Sequence, residues 1–257
     1  MGGTPSVGPQ AALRGAGLGR DPGVPAAHRG ALKNSSGPGR VPERVAVYRG
    51  FQTLVRVTSR LFLPSVRVTG GEHVPSEGAC LVVANHQSVL DPILIQSFCR
   101  RPLHTMTKST QFGTPILGWL LREHLLAFPV RRYQVDPQAV RVALRRLAQG
   151  RAVGVYVEGE RSWDGVLQPP RLGTLRLLLK AGVPVIPCAI SGSYDVWPRW
   201  GGGVRRAPVR IAFGPPVPLP KMDERFARER ALDETAAAVM GAIRRLGAGP
   251  PAVHINS

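Results

Sequence analysis

Residues 80–99 read CLVVANHQSVLDPILIQSFC. The run opens with five apolar residues, Cys80 to Ala84, which suit a strand buried on both faces. A polar stretch follows, and then Pro92 sits where a helix can begin, since its missing amide is no loss in a first helical turn. A helix over Pro92–Cys99 is expected. A buried strand feeding directly into a helix is the repeating unit of layered α/β proteins.

Working outward, further short apolar runs read as buried strands at Ala152–Val157, Val183–Ile190 and Val209–Phe213. Helical patterns lie between and beyond them at Pro137–Gln149, Leu172–Ala181 and Asp223 to Leu246, with Gly150 and Gly182 as stops. Strands alternating with helices predict one α/β layered domain over 45–246. Its sheet is mixed and mostly parallel, flanked by helices. An amphipathic N-terminal helix is expected over Val45–Leu63, ending at Pro64, with Val45, Tyr48, Phe51, Val55, Thr58 and Phe62 on one stripe. That stripe suits either packing on the domain's own core or rest on an anionic lipid surface.

Residues 1–44 are rich in Gly, Pro, Ala and Arg with no apolar stripe, and are expected to be a disordered tail. An organellar transit segment, or a start codon placed too far upstream, would equally account for them. Residues 247–257 are expected to be a flexible C-terminal tail. No run of 18 apolar residues occurs, so a spanning helix is not indicated.

The 257 residues carry 34 Lys and Arg against 16 Asp and Glu, a formal charge of +18. Such a field favours polyanions: nucleic acid, anionic lipid, acidic carrier proteins or phosphorylated small molecules. The apolar share of 43% excludes a wholly disordered basic chain. Cys80, Cys99 and Cys188 lie far apart, which supports neither a disulfide framework nor a metal ribbon, so no metal site is expected.

Two stretches carry chemistry. In Asn85-His86-Gln87-Ser88-Val89-Leu90-Asp91, directly after a strand, Asp91 can orient the His86 ring and leave it a general base. The structural alternative is a capping Asn and Asp with an incidental His. Ser88 lacks the elbow of a nucleophilic serine, so a substrate hydroxyl is the natural group for His86 to activate. The second stretch, Glu158-Gly159-Glu160-Arg161-Ser162, again follows a strand. Gly154 and Gly159 imitate a phosphate loop, but Glu160-Arg161 replaces the Lys-Ser/Thr such a loop needs. What remains is an arginine on a tight turn beside Ser162, suited to gripping a phosphate monoester, or else a surface turn with a self-neutralising pair. Arg131 and Arg132 offer a second clamp or a solvated edge.

Together, Asn85-His86-x4-Asp91, the Phe-Pro-Val-x-Arg run at 128–132, Glu158-Gly159-x-Arg161-Ser162 and Val183-Pro-Val-Ile-Pro187 resemble the four blocks of the glycerolipid acyltransferase family. The likeness is nearest to bacterial 1-acyl-sn-glycerol-3-phosphate acyltransferases and covers roughly Gly50 to Gly214. It implies His86 as catalytic base and Asp91 as its orienting carboxylate. Arg132, Glu158, Gly159, Arg161 and Ser162 are implied around the acceptor's phosphate, with Lys108 nearby, although the usual Lys-x-Glu-Leu context is missing. The third block departs from its usual form: Tyr156-Val157 replace Phe-Pro and Glu160 replaces Thr. The extra carboxylate requires a compensating cation, for which Arg131 is a candidate.

The resemblance implies transfer of an acyl group from acyl-CoA or acyl carrier protein to the sn-2 hydroxyl of lysophosphatidate, in phospholipid biosynthesis. No bound cofactor is implied. The expected partners are a lysophospholipid acceptor, an acyl thioester donor and an anionic membrane surface; the expected location is the cytoplasmic membrane face, peripheral or monotopic. Rival acceptors are glycerol 3-phosphate, another lysophospholipid or an amino-acid-derived lipid. A non-enzymatic basic module binding membrane or nucleic acid is the rival of another class. The low aromatic share of 6%, with no interleaved stacking platform, speaks against nucleic acid.

Overall fold

A computed structural model describes residues 42–123, 125–131, 136–220 and 227–248. Within them the chain runs α1 (Pro42–Phe62), β1 (Val66–Thr69), β2 (Cys80–Ala84), α2 (Asp91–Phe98), β3 (Leu103–Lys108), α3 (Pro115–Glu123), β4 (Phe128–Val130), α4 (Pro137–Ala148), β5 (Ala152–Tyr156), α5 (Leu172–Ala181), β6 (Val185–Ser191), α6 (Ser193–Val196), β7 (Val209–Phe213) and α7 (Ala227–Arg245). The expected tail at 1–44, apart from Pro42–Arg44, and that at 247–257, apart from Gly247 and Ala248, fall outside these residues. So does the predicted start of the last helix at Asp223.

The sheet has seven strands in the spatial order β1-β7-β6-β2-β5-β3-β4. Every neighbouring pair is parallel except β6 with β7. The mixed, mostly parallel α/β reading therefore holds. Central strands alternate their side chains between two buried faces, which is why they read as continuous apolar runs. Leu81, Val83, Val153 and Val155 meet α4, α5 and α7, whereas Cys80, Val82, Ala84 and Ile186 meet α2. Burial on one of these faces pushes the Cys80 thiol up to about 11, so this cysteine stays protonated packing material.

The topology also locates a site. From β2 the chain crosses through α2 to β3, passing β5; from β5 it crosses through α5 to β6, passing β2 on the other side. Two adjacent parallel strands whose connections leave in opposite directions open a crevice at their carboxyl ends. Ala84 and Tyr156, the last residues of β2 and β5, are register partners. The segments holding His86 and Arg161 thus begin side by side.

Helix α1 corrects one expectation. It starts at Pro42 rather than Val45, and the expected stripe is split: Tyr48 is buried and Phe51, Val55 and Thr58 are half-buried, but Phe62 is exposed, and the polar Gln52 and Ser59 join the buried side. The Tyr48 hydroxyl and Gln52 Nε2 donate to the Gln96 carbonyl (3.0 and 2.7 Å), and Arg56 Nε donates to the Ser97 carbonyl (2.6 Å). Carbonyls in the last turn of a helix have no partner within it, so donors reaching the end of α2 decide which side of α1 docks. Val47, Leu54, Val57, Leu61 and Phe62 are left exposed, Phe62 at 68%. No helix among the described residues is long and apolar enough to cross a membrane.

Candidate active site

The segment after β2 is stitched by side chains to its neighbours on both sides. Toward β6, Asn85 Nδ2 donates to the Ile190 carbonyl while its Oδ1 accepts the Ile190 amide, both at 2.8 Å. Toward β5, the His86 amide donates to Glu158 Oε1 (2.8 Å), and the Ser162 amide donates to the His86 carbonyl (2.7 Å). The two chemically interesting stretches are therefore hydrogen-bonded to each other at His86 itself.

Asp91 is the first residue of α2, not a residue ahead of it, and its carboxylate folds back over the connection. Asp91 Oδ2 lies 2.8 Å from His86 Nδ1 and accepts the amides of Gln87 (2.6 Å) and Ser88 (2.7 Å). Asp91 is fully buried, and its Oδ1 has no hydrogen-bond partner among the described residues. A carboxylate so placed takes the proton on Nδ1 as its own donor and leaves Nε2 as the basic nitrogen of the ring. The imidazole is 5% exposed and stacks on the Tyr156 ring, with centroids 4.0 Å apart and planes at 21°. Asp91 on one side and the Tyr156 ring on another thus orient the imidazole.

Glu158 sits differently from the phosphate-gripping place the resemblance gave it. It is 2% exposed, and both oxygens are taken: Oε1 by the His86 amide and Oε2 by the Gln168 amide (3.0 Å). Burial raises its pKa to about 7, against the pull of those two amides. Its carboxylate thus ties the His86 amide to the Gln168 amide. Gly159 turns with φ of +69°, and a Cβ there would come within 2.8 Å of Arg171 Cγ, so the turn admits only glycine without rearrangement. Ser162 is buried as well, its hydroxyl held by the Val166 carbonyl (2.7 Å) and Asp164 (2.9 Å).

Arg161 is half-buried beside this turn. Loss of water around its guanidinium and the nearby charge of Arg199 depress its pKa, while Asp91 raises it, which places the side chain in electrostatic reach of the His86–Asp91 pair. The added carboxylate, Glu160, is compensated by Arg171 and by Arg199 at 3.2 Å. Lys108 closes β3, and Arg131 follows β4. Because β2, β5, β3 and β4 are parallel and adjacent, these cations end on the same sheet margin as His86. Arg132 lies outside the described residues.

Sequence reasoning passed over Arg199. It belongs to the loop beyond β6 and carried no local signal, because its partners are about 40 positions away.

The acyltransferase family model matches residues 65–191. A chloroplastic 1-acyl-sn-glycerol-3-phosphate acyltransferase of Brassica napus is 30% identical over 162 residues, 61% of this chain and 46% of that protein. A protein of the same name from Borreliella burgdorferi is 25% identical over 124 residues, 48% of this chain and 50% of its own. The chain spans about half the length of the curated relatives it matches. In fold it is similar to the crystal structure of the 1-acyl-sn-glycerophosphate (LPA) acyltransferase PlsC from Thermotoga maritima. The TM-score is 0.63 at 24% identity, over 79% of this chain and 82% of that one. The His-x4-Asp pair and the Glu-Gly-x-Arg turn are joined at the carboxyl ends of adjacent strands and the family model covers both, so residues 65–191 of this chain form an acyltransferase-family domain.

Proposed function

We propose that the protein acylates the sn-2 hydroxyl of 1-acyl-sn-glycerol 3-phosphate, drawing the acyl group from acyl-CoA or acyl carrier protein and making phosphatidate. The observation that carries this is His86, oriented by Asp91 and hydrogen-bonded through its backbone to the turn bearing Arg161. His86 Nε2 takes the hydroxyl proton as the oxygen attacks the thioester carbonyl. The carbon–sulfur bond then breaks, and the departing thiolate takes that proton from the imidazolium, so neither protons nor charge accumulate. General-base assistance of this kind is worth about 10² to 10⁴ in rate. Arg161, with Lys108 from the margin of the sheet and with Arg132 as the resemblance implies, holds the phosphate and brings the hydroxyl to the base, which is the positioning share of catalysis.

The membrane-facing side of this reading rests on α1. Its outward stripe of Val47, Leu54, Val57, Leu61 and Phe62 is continued by exposed Ile116 and Trp119 on α3, which packs against α1. Arg49 and Arg60 of the same helix are exposed. Apolar side chains with cations beside them suit the headgroup region of an anionic membrane, with the protein resting peripherally on its cytoplasmic face. Co-sedimentation with phosphatidylglycerol vesicles should fall several-fold in Leu54→Asp/Leu61→Asp; undiminished binding would remove α1 from this role.

The activity is tested with purified protein, acyl-CoA or acyl carrier protein in separate reactions, and lysophosphatidate, following free thiol and phosphatidate together. Equal release of both is expected. Thiol release without phosphatidate would make the protein a thioesterase and refute the assignment.

A further inference from the structure

One segment touches both halves of the site, and neither the sequence motifs nor the resemblance assigns it a role. It runs from α6 through Trp200. Ser193 Oγ donates to Gln87 Oε1 (3.4 Å), and the Trp197 carbonyl accepts the Ser88 hydroxyl (2.8 Å), both on the His86 loop. Two residues later Arg199 Nη1 donates to the carbonyl of Arg161 (2.6 Å) and to Glu160 Oε2 (3.2 Å). The Arg199 guanidinium lies 3.5 Å over the Trp163 ring, and Trp200 packs against the same ring, its Nε1 donating to the Trp163 carbonyl (2.9 Å) with ring centroids 4.3 Å apart.

We propose that Arg199 is a positioning residue for the acceptor's anionic headgroup: it holds the Glu160–Arg161 turn at a fixed distance from the His86 loop, so that Arg161 meets the phosphate while the hydroxyl meets the base. This deepens the reading above and rests on it. Three anchors act on one guanidinium. A carbonyl and a carboxylate both accept from Nη1, and an aromatic face fixes the plane of the group, a stacking that a flat guanidinium makes and a compact ammonium does not. The arrangement also accounts for Glu160. Arg199 and Arg161 are like charges, and Arg199 helps to depress the Arg161 pKa; Glu160, 3.2 Å from Arg199, offsets that repulsion on the Arg199 side. In this proposal Arg161 is the cation left for the ligand, and a phosphate monoester completes the neutralisation. Only a hydrogen-bonded, partly desolvated pair has such leverage, since a freely exposed ion pair contributes little.

The test is binding without turnover, followed by kinetics. Calorimetric titration with lysophosphatidate, in the absence of thioester, compares wild type, Arg199→Ala and Arg199→Lys, with 1-monoacylglycerol as the phosphate-free control. Loss of a hydrogen bond to a charged group predicts lysophosphatidate binding weakened about tenfold in Arg199→Ala. Monoacylglycerol binding should stay unchanged. The acceptor KM should rise by the same factor, with kcat within about twofold. Arg199→Lys, which keeps the charge and a donor but not the fork, should recover part of the loss. Lysophosphatidate binding equal to wild type in Arg199→Ala would overturn the proposal. So would equal losses for both lipids accompanied by a fall in kcat, because that is general loosening rather than headgroup positioning; Arg199→Lys gives the same reading if the alanine variant does not fold. Arg199-dependent binding with no turnover in wild type would sink the acyl-transfer reading and leave the positioning role standing.

Discussion

His86 and His104 are hidden to the same extent, 5% exposed each, and they lie near opposite ends of the sheet. His86 follows β2 and faces a buried carboxylate. His104 is the second residue of β3, where burial and the surrounding Arg146, Arg151 and Arg101 push its pKa down to about 3. Its Nε2 lies 3.4 Å from Arg151 Nη1. Burial alone therefore says nothing about whether a histidine is a base. The sign of the charge beside it decides, since a carboxylate favours the imidazolium that forms during proton transfer and a guanidinium forbids it.

The largest expected effect breaks the two apart. His86→Ala should lower the acylation rate by about 10² to 10⁴, whereas His104→Gln should keep kcat within a few-fold and lower the melting temperature instead. Acylation near wild type in His86→Ala, with the fold intact by circular dichroism, would remove the assigned base and with it the contrast.

Asp91→Asn asks whether the carboxylate is what distinguishes His86. An amide in its place can still accept one of the three bonds now converging on Oδ2, but it offers no charge to the imidazolium and can turn the ring to the wrong tautomer. A loss of about a hundredfold or more in kcat is expected, with acceptor KM nearly constant. A change confined to KM would make Asp91 a structural cap.

How much of this contrast was legible beforehand depends on how far apart the partners lie in sequence. The His86–Asp91 pair spans five positions, so its chemistry could be read locally. The strands β2, β5, β6 and β7 were legible because burial on two faces makes continuous apolar runs. Strand β3, Leu-His-Thr-Met-Thr-Lys, was not: its polar side chains are buried by distant partners, Thr105 by Gln96 Nε2 (2.7 Å) and His104 by Arg151. Strand β1 is a four-residue edge, mostly exposed, with no apolar run to betray it. Glu158 and Arg199 were misplaced or missed for the same reason. Their hydrogen bonds reach 72 and 38 positions along the chain, and only the fold brings those residues together. The inward side of α1 was read in part: Tyr48, Phe51 and Val55 lie on it as the stripe predicted, whereas Gln52 and Arg56, which dock it by hydrogen bonds to the end of α2, carry no apolar signal.

Arg161→Ala sits further down the scale. Removing one charge-assisted contact to a phosphate should raise acceptor KM about tenfold while leaving the donor KM alone, since the guanidinium is asked to bind and not to transfer protons. An unchanged acceptor KM would leave His86 as the only residue of the pair of loops with a demonstrated part in the reaction.

The smallest effect concerns stability, and it sharpens the comparison by adding Glu158, whose pKa is displaced in the opposite direction. His104 binds its proton only near pH 3 in the folded protein but near 6.5 when unfolded. Between those values the unfolded state holds the extra proton, so this group makes stability rise with pH, and its contribution is complete above 6.5. Glu158 keeps its proton to about pH 7 when folded but loses it near 4.5 when unfolded. Across that window the folded state holds the extra proton, and stability falls as pH rises. From about 4.5 to 6.5 the two slopes oppose each other, each up to about 1.4 kcal/mol per pH unit for a whole proton. Urea titrations across this range should therefore show the slope of stability against pH becoming more positive in Glu158→Gln and more negative in His104→Gln, relative to wild type. Parallel curves for all three proteins would mean that neither group is held away from its ordinary pKa, and the difference between the two histidines would then have to rest on His86 and Asp91 alone.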